Sequence, residues 1–187
     1  MNVVYTGERV RIRPFSSMQE WLDIQREHEF CMSPFWGPFH FTEHAQRREF
    51  EANGRLGNES ESSFAIERLD TGECIGIVEH GMIRPGRPFT WLGTVIARRH
   101  WSNGFGREAK LLLLCHLFGN YPIESVIADT TDEHTRAQSG LEACGMSRMG
   151  SYRCFHWHGG KLVDIPNYQV MRTDWEAMQI RQTVRRG

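Results

Sequence analysis

Residues 98–109 read RRHWSNGFGREA, a glycine-containing turn between the strand-like run FTWLGTVIA (89–97) and a leucine-rich segment. A helix is predicted over 104–118, and its interior, KLLLLCHLF, is apolar almost all round, which is typical of a helix covered on most sides. Gly104 and Gly106 have no β-carbon, so an anion can approach the backbone where this helix begins. The unpaired N–H groups and the dipole of a helix N-terminus favour such an anion. The alternative is a tight turn in which glycine serves only the backbone conformation.

Two common phosphate-binding loops are excluded by the same stretch. No G-K-[ST] is present, so the turn is not a P-loop, and it lacks the third glycine and the acidic residue of a dinucleotide-binding fingerprint. Four basic residues lie close to the turn and are either solvated or directed at an anion: Arg98, Arg99, Arg107 and Lys110.

The composition predicts a single domain over residues 1–187, because 40% hydrophobic and 24% charged residues are ordinary values for a globular chain with one core. A net charge of −1 disfavours a nucleic-acid partner. No apolar run approaches a membrane span, and the N-terminus lacks the apolar core of a signal peptide, so a cytoplasmic protein without a membrane partner is expected. The five cysteines are scattered without a C-x-x-C, which indicates free thiols.

Periodicity predicts the element order β-α-α-β-β-β-α-β-α-β-β, a mixed sheet with helices packed against it. Strands are predicted over 7–15, 62–69, 73–83, 89–97 and 124–131, and a terminal hairpin over 147–157 and 161–173. Helices are predicted over 18–30 after Ser16 or Ser17, over about 43–55 after Thr42, over 104–118, and from a cap at Asp132 to Gly145. The segment 31–41, CMSPFWGPFHF, is predicted as a loop.

The strand, turn and helix at 94–118, TVIARRHWSNGFGREAKLLLLCHLF, resemble the coenzyme A motif [RQ]-x-x-G-x-[GA] of the GNAT superfamily of acyl-CoA N-acyltransferases. GERVRIRPF (7–15), WSNGFGREA (101–109), LEACGM (141–146) and HGGKLVDIPNYQVMRTDW (158–175) resemble its RimJ/RimL-like branch. The resemblance implies an α/β (α+β) fold with a mixed, mostly antiparallel sheet of about seven strands, a splayed cofactor cleft and about four flanking helices. It also implies acetyl-CoA-dependent transfer of an acetyl group, in a ternary complex, to a primary amine of a protein N-terminus or a small molecule.

The same resemblance implies which residues bind acetyl-CoA. Residues 95–98 are expected to splay from the neighbouring strand and pair with the pantetheine amides, and an N–H near Val95 or Ile96 would polarise the acyl carbonyl. Backbone amides from Ser102 to Arg107 would hold the pyrophosphate. The expected cofactor-binding residues are Val95, Ile96, Ala97, Arg98, Trp101, Ser102, Asn103, Gly104, Phe105, Gly106, Arg107, His134 and Arg136.

The sequence departs from the superfamily pattern at two places. Trp101 stands where Arg or Gln is commoner, although an aromatic residue also occurs there in the branch. Many relatives carry N-x-x-S after the next strand, and those positions are His134 and Ala137 here. His134 can replace the Asn, and Arg136 can reach the adenosine phosphate, but Ala137 has no hydroxyl to protonate the leaving thiolate. The first alternative function is therefore that of a non-catalytic acyl-CoA-binding or sensing protein. The second alternative is a transferase of the same fold that uses another acyl donor or an aminoacyl donor.

A general base is expected at the mouth of the splayed strands. Glu79 and His80 come first, because one of them must face the cleft if the strand register holds. Tyr152 and His156 of the terminal hairpin come next. Each of these residues also has a structural interpretation, such as an ion pair with a neighbouring arginine.

Trp36, Phe39 and His40, with Phe30 and Phe35, lie where the first two helices wall the acceptor site of the family, so they are expected either to bind substrate or to cover the core. Asp164 matches an Asp of the branch, and a structural role is favoured over binding of the acceptor amine. His156 and His158 share one side of a strand, but no third ligand has an evident spacing, so no metal is expected. The exposed terminal strands are compatible with a homodimer.

Overall fold

A computed structural model describes residues 4–36, 42–56, 61–81, 83–84, 86–178 and 185–186, without the side chains of 28–34, 36 and 185–186. The strands are β1 (Tyr5–Thr6), β2 (Val10–Arg13), β3 (Ser62–Arg68), β4 (Cys74–Gly81), β5 (Phe89–Ile96), β6 (Ser125–Asp129), β7 (Ser147–His158), β8 (Lys161–Met171) and β9 (Arg185–Arg186). The helices are α1 (Met18–Trp36), α2 (Glu43–Asn53), α3 (Phe105–Asn120), α4 (Thr135–Glu142) and α5 (Arg172–Ala177), with a 3-10 turn at Arg98–His100 before α3.

The strands form one sheet in the order β7-β8-β6-β5-β4-β3-β2-β1-β9. Within the described ranges every neighbouring pair is antiparallel except β5 and β6, which are parallel. The prediction of a mixed, mostly antiparallel sheet is therefore confirmed. The sheet has two more strands than the seven expected, because the two-residue strands β1 and β9 extend one edge.

Two helical layers cover the two faces of the sheet. On one face, α3 buries four consecutive leucines, Leu111 to Leu114, against the side chains of Ile12, Phe64 and Val78. On the other face, Trp21 and Leu22 of α1 pack with neighbours that include Ala65 and Ile77. Phe64 and Ala65 thus point to opposite faces, as successive residues of a strand must. The two-sided burial explains why the central strands are apolar almost throughout.

Three helices differ from the prediction. The helix α4 begins at Thr135 with His134 as its N-cap, two residues after the predicted cap Asp132, and it ends at Glu142. The helix α1 continues to Trp36, through the first six residues of the Pro- and aromatic-rich segment 31–41 that is predicted as a loop. The Phe35 ring stacks on the His134 ring with a centroid separation of 3.6 Å, a tertiary contact that local sequence does not report. An additional short helix, α5, follows β8, and its Trp175 is buried with its ring 5.1 Å from that of Phe118. In the part of the chain that the structure describes, no helix is long and apolar enough to cross a bilayer.

Candidate functional site

The strands β5 and β6 separate in the middle of the sheet. They pair at Phe89 with Ser125, Thr90 with Val126 and Trp91 with Ile127, and no pair follows in the described chain. Beyond Trp91, β5 continues to Ile96 paired with β4 alone. The separation expected at residues 95–98 therefore begins already at Leu92, and it leaves a wedge-shaped opening between the two strands.

The turn after β5 leads into α3 with two residues in the left-handed region, Ser102 (φ 61°) and Gly104 (φ 77°). Gly104 is the N-cap of α3, and no side chain caps the helix there. A β-carbon on Gly104 would lie 3.0 Å from Nη2 of Arg9, whose Nη1 donates to the carbonyl of Asn103 at 2.8 Å. The backbone angle at position 104 therefore favours glycine, whereas the contact with the mobile end of Arg9 could be relieved by a shift of that side chain. The first N–H groups of α3 are left without a side-chain acceptor, which is the condition for anion binding.

A cavity of about 250 Å³, here called the turn cavity, lies over this helix start between α3 and α4. Nine of the residues expected to bind acetyl-CoA line it: Val95, Ile96, Trp101, Ser102, Gly104, Phe105, Gly106, Arg107 and Arg136. The remaining four lie elsewhere. Ala97 is buried, the Arg98 guanidinium lies 5.7 Å from the Trp101 ring, Asn103 lies on the side of Arg9, and His134 lines the neighbouring cavity.

A second cavity of about 190 Å³, here called the splay cavity, lies between the separated ends of β5 and β6. It shares four lining residues with the turn cavity: Thr94, Val95, Lys110 and Ala137. The two cavities are therefore parts of one cleft that runs from the start of α3 into the sheet.

Glu79 lies on the wall of the splay cavity. The Ser63 hydroxyl donates to its Oε2 at 3.1 Å, and Nη2 of Arg55 donates to the Ser63 oxygen at 3.2 Å. A β-carbon on Gly93, which faces Glu79 on β5, would lie 3.1 Å from Oε1, so glycine leaves room for the carboxylate. Burial raises the pKa of Glu79, while the Ser63 hydrogen bond and the charge of Arg55 act against that rise. The pKa of Glu79 is therefore above its ordinary value, but less so than burial alone would make it.

His80 points to the opposite face of β4 and is 1% exposed. Its ring lies 6.0 Å from that of His116 and 5.9 Å from that of Tyr121, in the core beneath α3. Burial lowers the pKa of His80 to about 4, so the ring is neutral at physiological pH. Of the Glu79 and His80 pair, the structure brings Glu79 to the cleft and His80 to the core.

The terminal hairpin does not bring its predicted residues into either cavity. Tyr152 is 55% exposed and packs against Phe155, with ring centroids 5.1 Å apart. Oδ1 of Asp164 accepts a hydrogen bond from the backbone N–H of Cys154 at 2.8 Å, where a bulge holds Cys154 at φ 49°. Asp164 therefore stabilises the hairpin, in line with the structural interpretation.

His156 and His158 stack with a centroid separation of 6.4 Å. Among the described residues, no group of three or more His, Cys, Asp or Glu side chains is placed to hold a metal ion. Phe39, His40 and the side chains of Phe30 and Trp36 lie outside the described residues. Of the aromatic set, Phe35 is the member whose ring is placed, against His134.

His134 precedes the first turn of α4 and connects several parts of the cleft. Its Nδ1 lies 3.3 Å from the Thr130 hydroxyl, and its Nε2 lies 3.3 Å from Nη2 of Arg136. Burial and the charge of Arg136 lower the pKa of His134 to about 4, so it is neutral at physiological pH. The Arg136 guanidinium reaches across to the turn and lies 3.4 Å from the centre of the Trp101 ring, whose Nε1 donates to the Ile96 carbonyl at 2.6 Å.

The cleft also contains residues that sequence reasoning missed as site residues. Asp129, at the end of β6, lines the splay cavity, and burial raises the pKa of its carboxyl. Ser63 and Arg55 support Glu79 from β3 and from the segment after α2. Lys110 was noted only as a cation near the turn, yet it lines both cavities. The sequence held one signal for Asp129. It is an acidic residue at the carboxyl end of β6, the strand that follows the glycine turn and α3.

Comparison with known proteins places the chain among acetyltransferases. A family model described as an acetyltransferase (GNAT) domain matches residues 9–147. The N-acetyltransferase p20 of Bacillus licheniformis, itself uncharacterised, is 24% identical over 183 residues, covering 94% of this chain and 99% of that protein.

Two solved structures share the fold at lower identity. RimL, a ribosomal L7/L12 alpha-N-protein acetyltransferase in complex with coenzyme A, has a TM-score of 0.79 at 11% identity, covering 90% of this chain and 97% of that one. A spermidine N-acetyltransferase from Vibrio cholerae in complex with CoA and spermine has a TM-score of 0.78 at 16% identity, covering 89% and 98%.

Proposed function

Because the chain belongs to the GNAT acetyltransferase family, we propose that it transfers the acetyl group of acetyl-CoA directly to a primary amine in a ternary complex. One observation carries this proposal: a single cleft connects the uncapped start of α3 with the half-buried carboxylate of Glu79 between the separated ends of β5 and β6. The acceptor is an amine of a protein N-terminus or of a small molecule. Two structural neighbours, a ribosomal-protein and a spermidine acetyltransferase, act on amines, which supports this substrate class.

The turn cavity suits the anionic end of the donor. N–H groups between Ser102 and Arg107 would bind the pyrophosphate, aided by the dipole of α3. Arg136 lies on the other wall of the cavity and would contact an adenosine phosphate. The unpaired edge of β5 at Val95 and Ile96 would pair with the pantetheine amides, with the thioester directed into the splay cavity.

The splay cavity suits the acceptor amine. Glu79 and Asp129 give it two carboxylates, which attract an ammonium group. Glu79 would act as the general base that takes the proton of the amine. Its pKa is raised toward the working pH, which makes it a stronger base than an exposed carboxylate. Holding the two reactants side by side supplies several kcal/mol of the barrier reduction by itself.

A second candidate function is a non-catalytic acyl-CoA-binding protein. Ala137 favours it, because this residue lines both cavities at the position where many relatives have a hydroxyl. Release of free coenzyme A, followed with a thiol reagent against a panel of amines and peptides, separates the two functions. An amine that accelerates thiol release supports the transferase. Tight binding of acetyl-CoA without release in the presence of any amine would leave the binding protein as the function.

The pyrophosphate site is tested best at Ser102. Gly104→Glu is unsuitable, because a side chain at φ 77° beside Arg9 would strain the turn whatever its charge. Asp and Asn both tolerate the left-handed angle of Ser102 and differ in charge alone, so Ser102→Asp and Ser102→Asn form a matched pair. A carboxylate beside the pyrophosphate should weaken acetyl-CoA binding by about 1–3 kcal/mol, roughly 10- to 100-fold, relative to the Asn variant. Equal affinities in calorimetry would refute the site.

A further inference from the structure

Lys110 occupies the junction of the two cavities. It lies on α3 one turn after Gly106, and its Nζ is 3.4 Å from the Gly106 carbonyl oxygen, a long contact. A β-carbon on Gly140 of α4 would lie 3.6 Å from Nζ. The ammonium group therefore sits between the facing sides of α3 and α4, at the floor of the cleft.

Within the described ranges of the chain, no carboxylate lies within ion-pair distance of Lys110. Lys110 is half-buried, and partial desolvation of its ammonium group lowers its pKa. Several titratable and charged groups face the same space: His134 before α4, Arg136 of α4, Cys144 after α4, His100 of the 3-10 turn, Arg107 of α3, Glu79 of β4 and Asp129 of β6. A half-buried cation without a fixed counter-charge is stabilised by a negative charge that arrives with a ligand or develops during a reaction.

The choice of lysine is itself informative. Of the 22 basic residues in the sequence, two are lysines, and the other is Lys161. Lys161 lies at the start of β8, exposed and paired with Glu133 at 2.5 Å. An arginine cannot release a proton in a protein, whereas a lysine can, most readily when burial lowers its pKa. The cleft thus holds a cation that can serve as an acid in a chain that otherwise uses arginine.

We propose that Lys110 donates the proton to the sulfur of coenzyme A as the thioester breaks, in place of the hydroxyl that Ala137 lacks. Ala137 and Gly140 are one turn apart on α4, so an ammonium 3.6 Å from the β-carbon position of Gly140 lies within roughly 9–10 Å of the Ala137 β-carbon. The flexible stem of lysine can cover that distance. This assignment rests on the proposed acetyl transfer.

The step balances as follows. The acceptor nitrogen forms a bond with the acetyl carbon, and the carbon–sulfur bond breaks with its electron pair on sulfur. An acceptor that arrives as an ammonium first loses one proton to solvent. The ammonium of Lys110 gives its proton to that sulfur, and Glu79 takes the one proton that the neutral amine loses and then releases it to solvent. Lys110 becomes neutral and regains a proton from solvent before the next turnover.

The test compares Lys110→Met with Lys161→Met, which removes the other lysine. Lys110→Met should lower kcat by roughly 100-fold or more, in the range of general acid catalysis, while Lys161→Met should not. Binding is measured for coenzyme A and for desulfo-coenzyme A, which has the phosphates but no thiol. Lys110→Met should leave the affinity for desulfo-coenzyme A unchanged and raise the pKa of the bound coenzyme A thiol, read from thiolate absorbance. Equal loss of affinity for both ligands would show that Lys110 serves the phosphates, and would refute the proposal.

A rescue experiment adds a second criterion. Ala137→Ser in the Lys110→Met background should restore part of kcat, because it supplies a hydroxyl at the position used by relatives. Lys110→Arg keeps the charge without a transferable proton, and it should remain impaired in kcat. A Lys110→Arg variant with the wild-type rate would refute proton donation. Acetyl transfer by the wild type at the same rate as by Lys110→Met would refute this inference alone, whereas a wild type that neither binds acetyl-CoA nor releases thiol would refute the proposed function.

Discussion

The hydrogen bond from Ser63 to Glu79 makes a quantitative prediction about the pH dependence of the reaction. Ser63→Ala removes the hydroxyl that donates to Oε2 of Glu79 at 3.1 Å, and it also disconnects Arg55 from the carboxylate. Both interactions favour the charged form of Glu79, so their loss raises its pKa further above the ordinary value. Because the general base acts as a carboxylate, the variant should be less active at low pH and recover as the pH rises.

The size of the shift follows from the strength of the bond. A hydrogen bond to a charged group contributes about 1.5–3 kcal/mol, and one pKa unit corresponds to about 1.4 kcal/mol. The acidic limb of the kcat/KM profile should therefore move up by roughly 1–2 pH units. At a pH below both pKa values this is a loss of about 10- to 100-fold, and on the high-pH plateau the loss should vanish.

The assay is thiol release at saturating acetyl-CoA and low amine, across the pH range in which the fold persists. Ser63→Thr, which keeps the hydroxyl, is the matched control and should retain the wild-type profile. Glu79→Gln should remove the acidic limb together with most of the activity. An acidic limb that stays in place in Ser63→Ala, or one that survives in Glu79→Gln, would show that Glu79 is not the base.

Two further predictions concern stability. Arg172→Ala should lower the free energy of unfolding by about 2–3 kcal/mol, because Arg172 donates to three carbonyl groups at and after the end of α3. Urea titration measures this loss, and Arg148→Ala, which removes an exposed arginine, is the control. His80→Gln should remove about half of the stability loss between pH 6.5 and 4. The pKa of His80 is about 4 in the folded chain and about 6.5 in the unfolded chain. The neutral ring therefore contributes up to about 3 kcal/mol to the free energy of unfolding above this window, and that contribution is lost as the pH falls through it. His134 titrates in the same window, and an unchanged slope in His80→Gln would contradict the assignment.

Local patterns were sufficient to predict the strand, turn and helix that carry the turn cavity. The alternation of β5, the glycines and the apolar run of α3 all lie within residues 89–118, so neighbouring residues alone determine them. Strand alternation also predicted that Glu79 or His80 faces the cleft. It could not predict which, because that depends on the layer that covers each face of β4, and α3 covers the face of His80.

The remaining site residues depend on tertiary contacts that no local pattern reports. Lys110 lies beside an unbroken run of leucines, so the apolar run obscured its position at the cleft until α4 was placed against α3. Phe35 reaches His134 only because α1 continues past Pro34. Tyr152 of the terminal hairpin was a second-choice candidate for the general base, but it lies on the exposed part of that hairpin.

The charges of the cleft are divided between its two ends, and this division has a kinetic consequence. The turn cavity contains Arg107 and Arg136, the splay cavity contains Glu79 and Asp129, and Lys110 lies where the two cavities meet, so an anionic donor and a cationic acceptor are each attracted to one end. Turnover requires a charged Glu79 and a charged Lys110 at the same time. Burial raises the pKa of the first and lowers that of the second, so the bell-shaped rate profile should be narrower than two exposed groups would give. Ser63→Ala should move only the acidic limb, and Lys110→Met should remove only the alkaline one, because each variant changes one of the two protons.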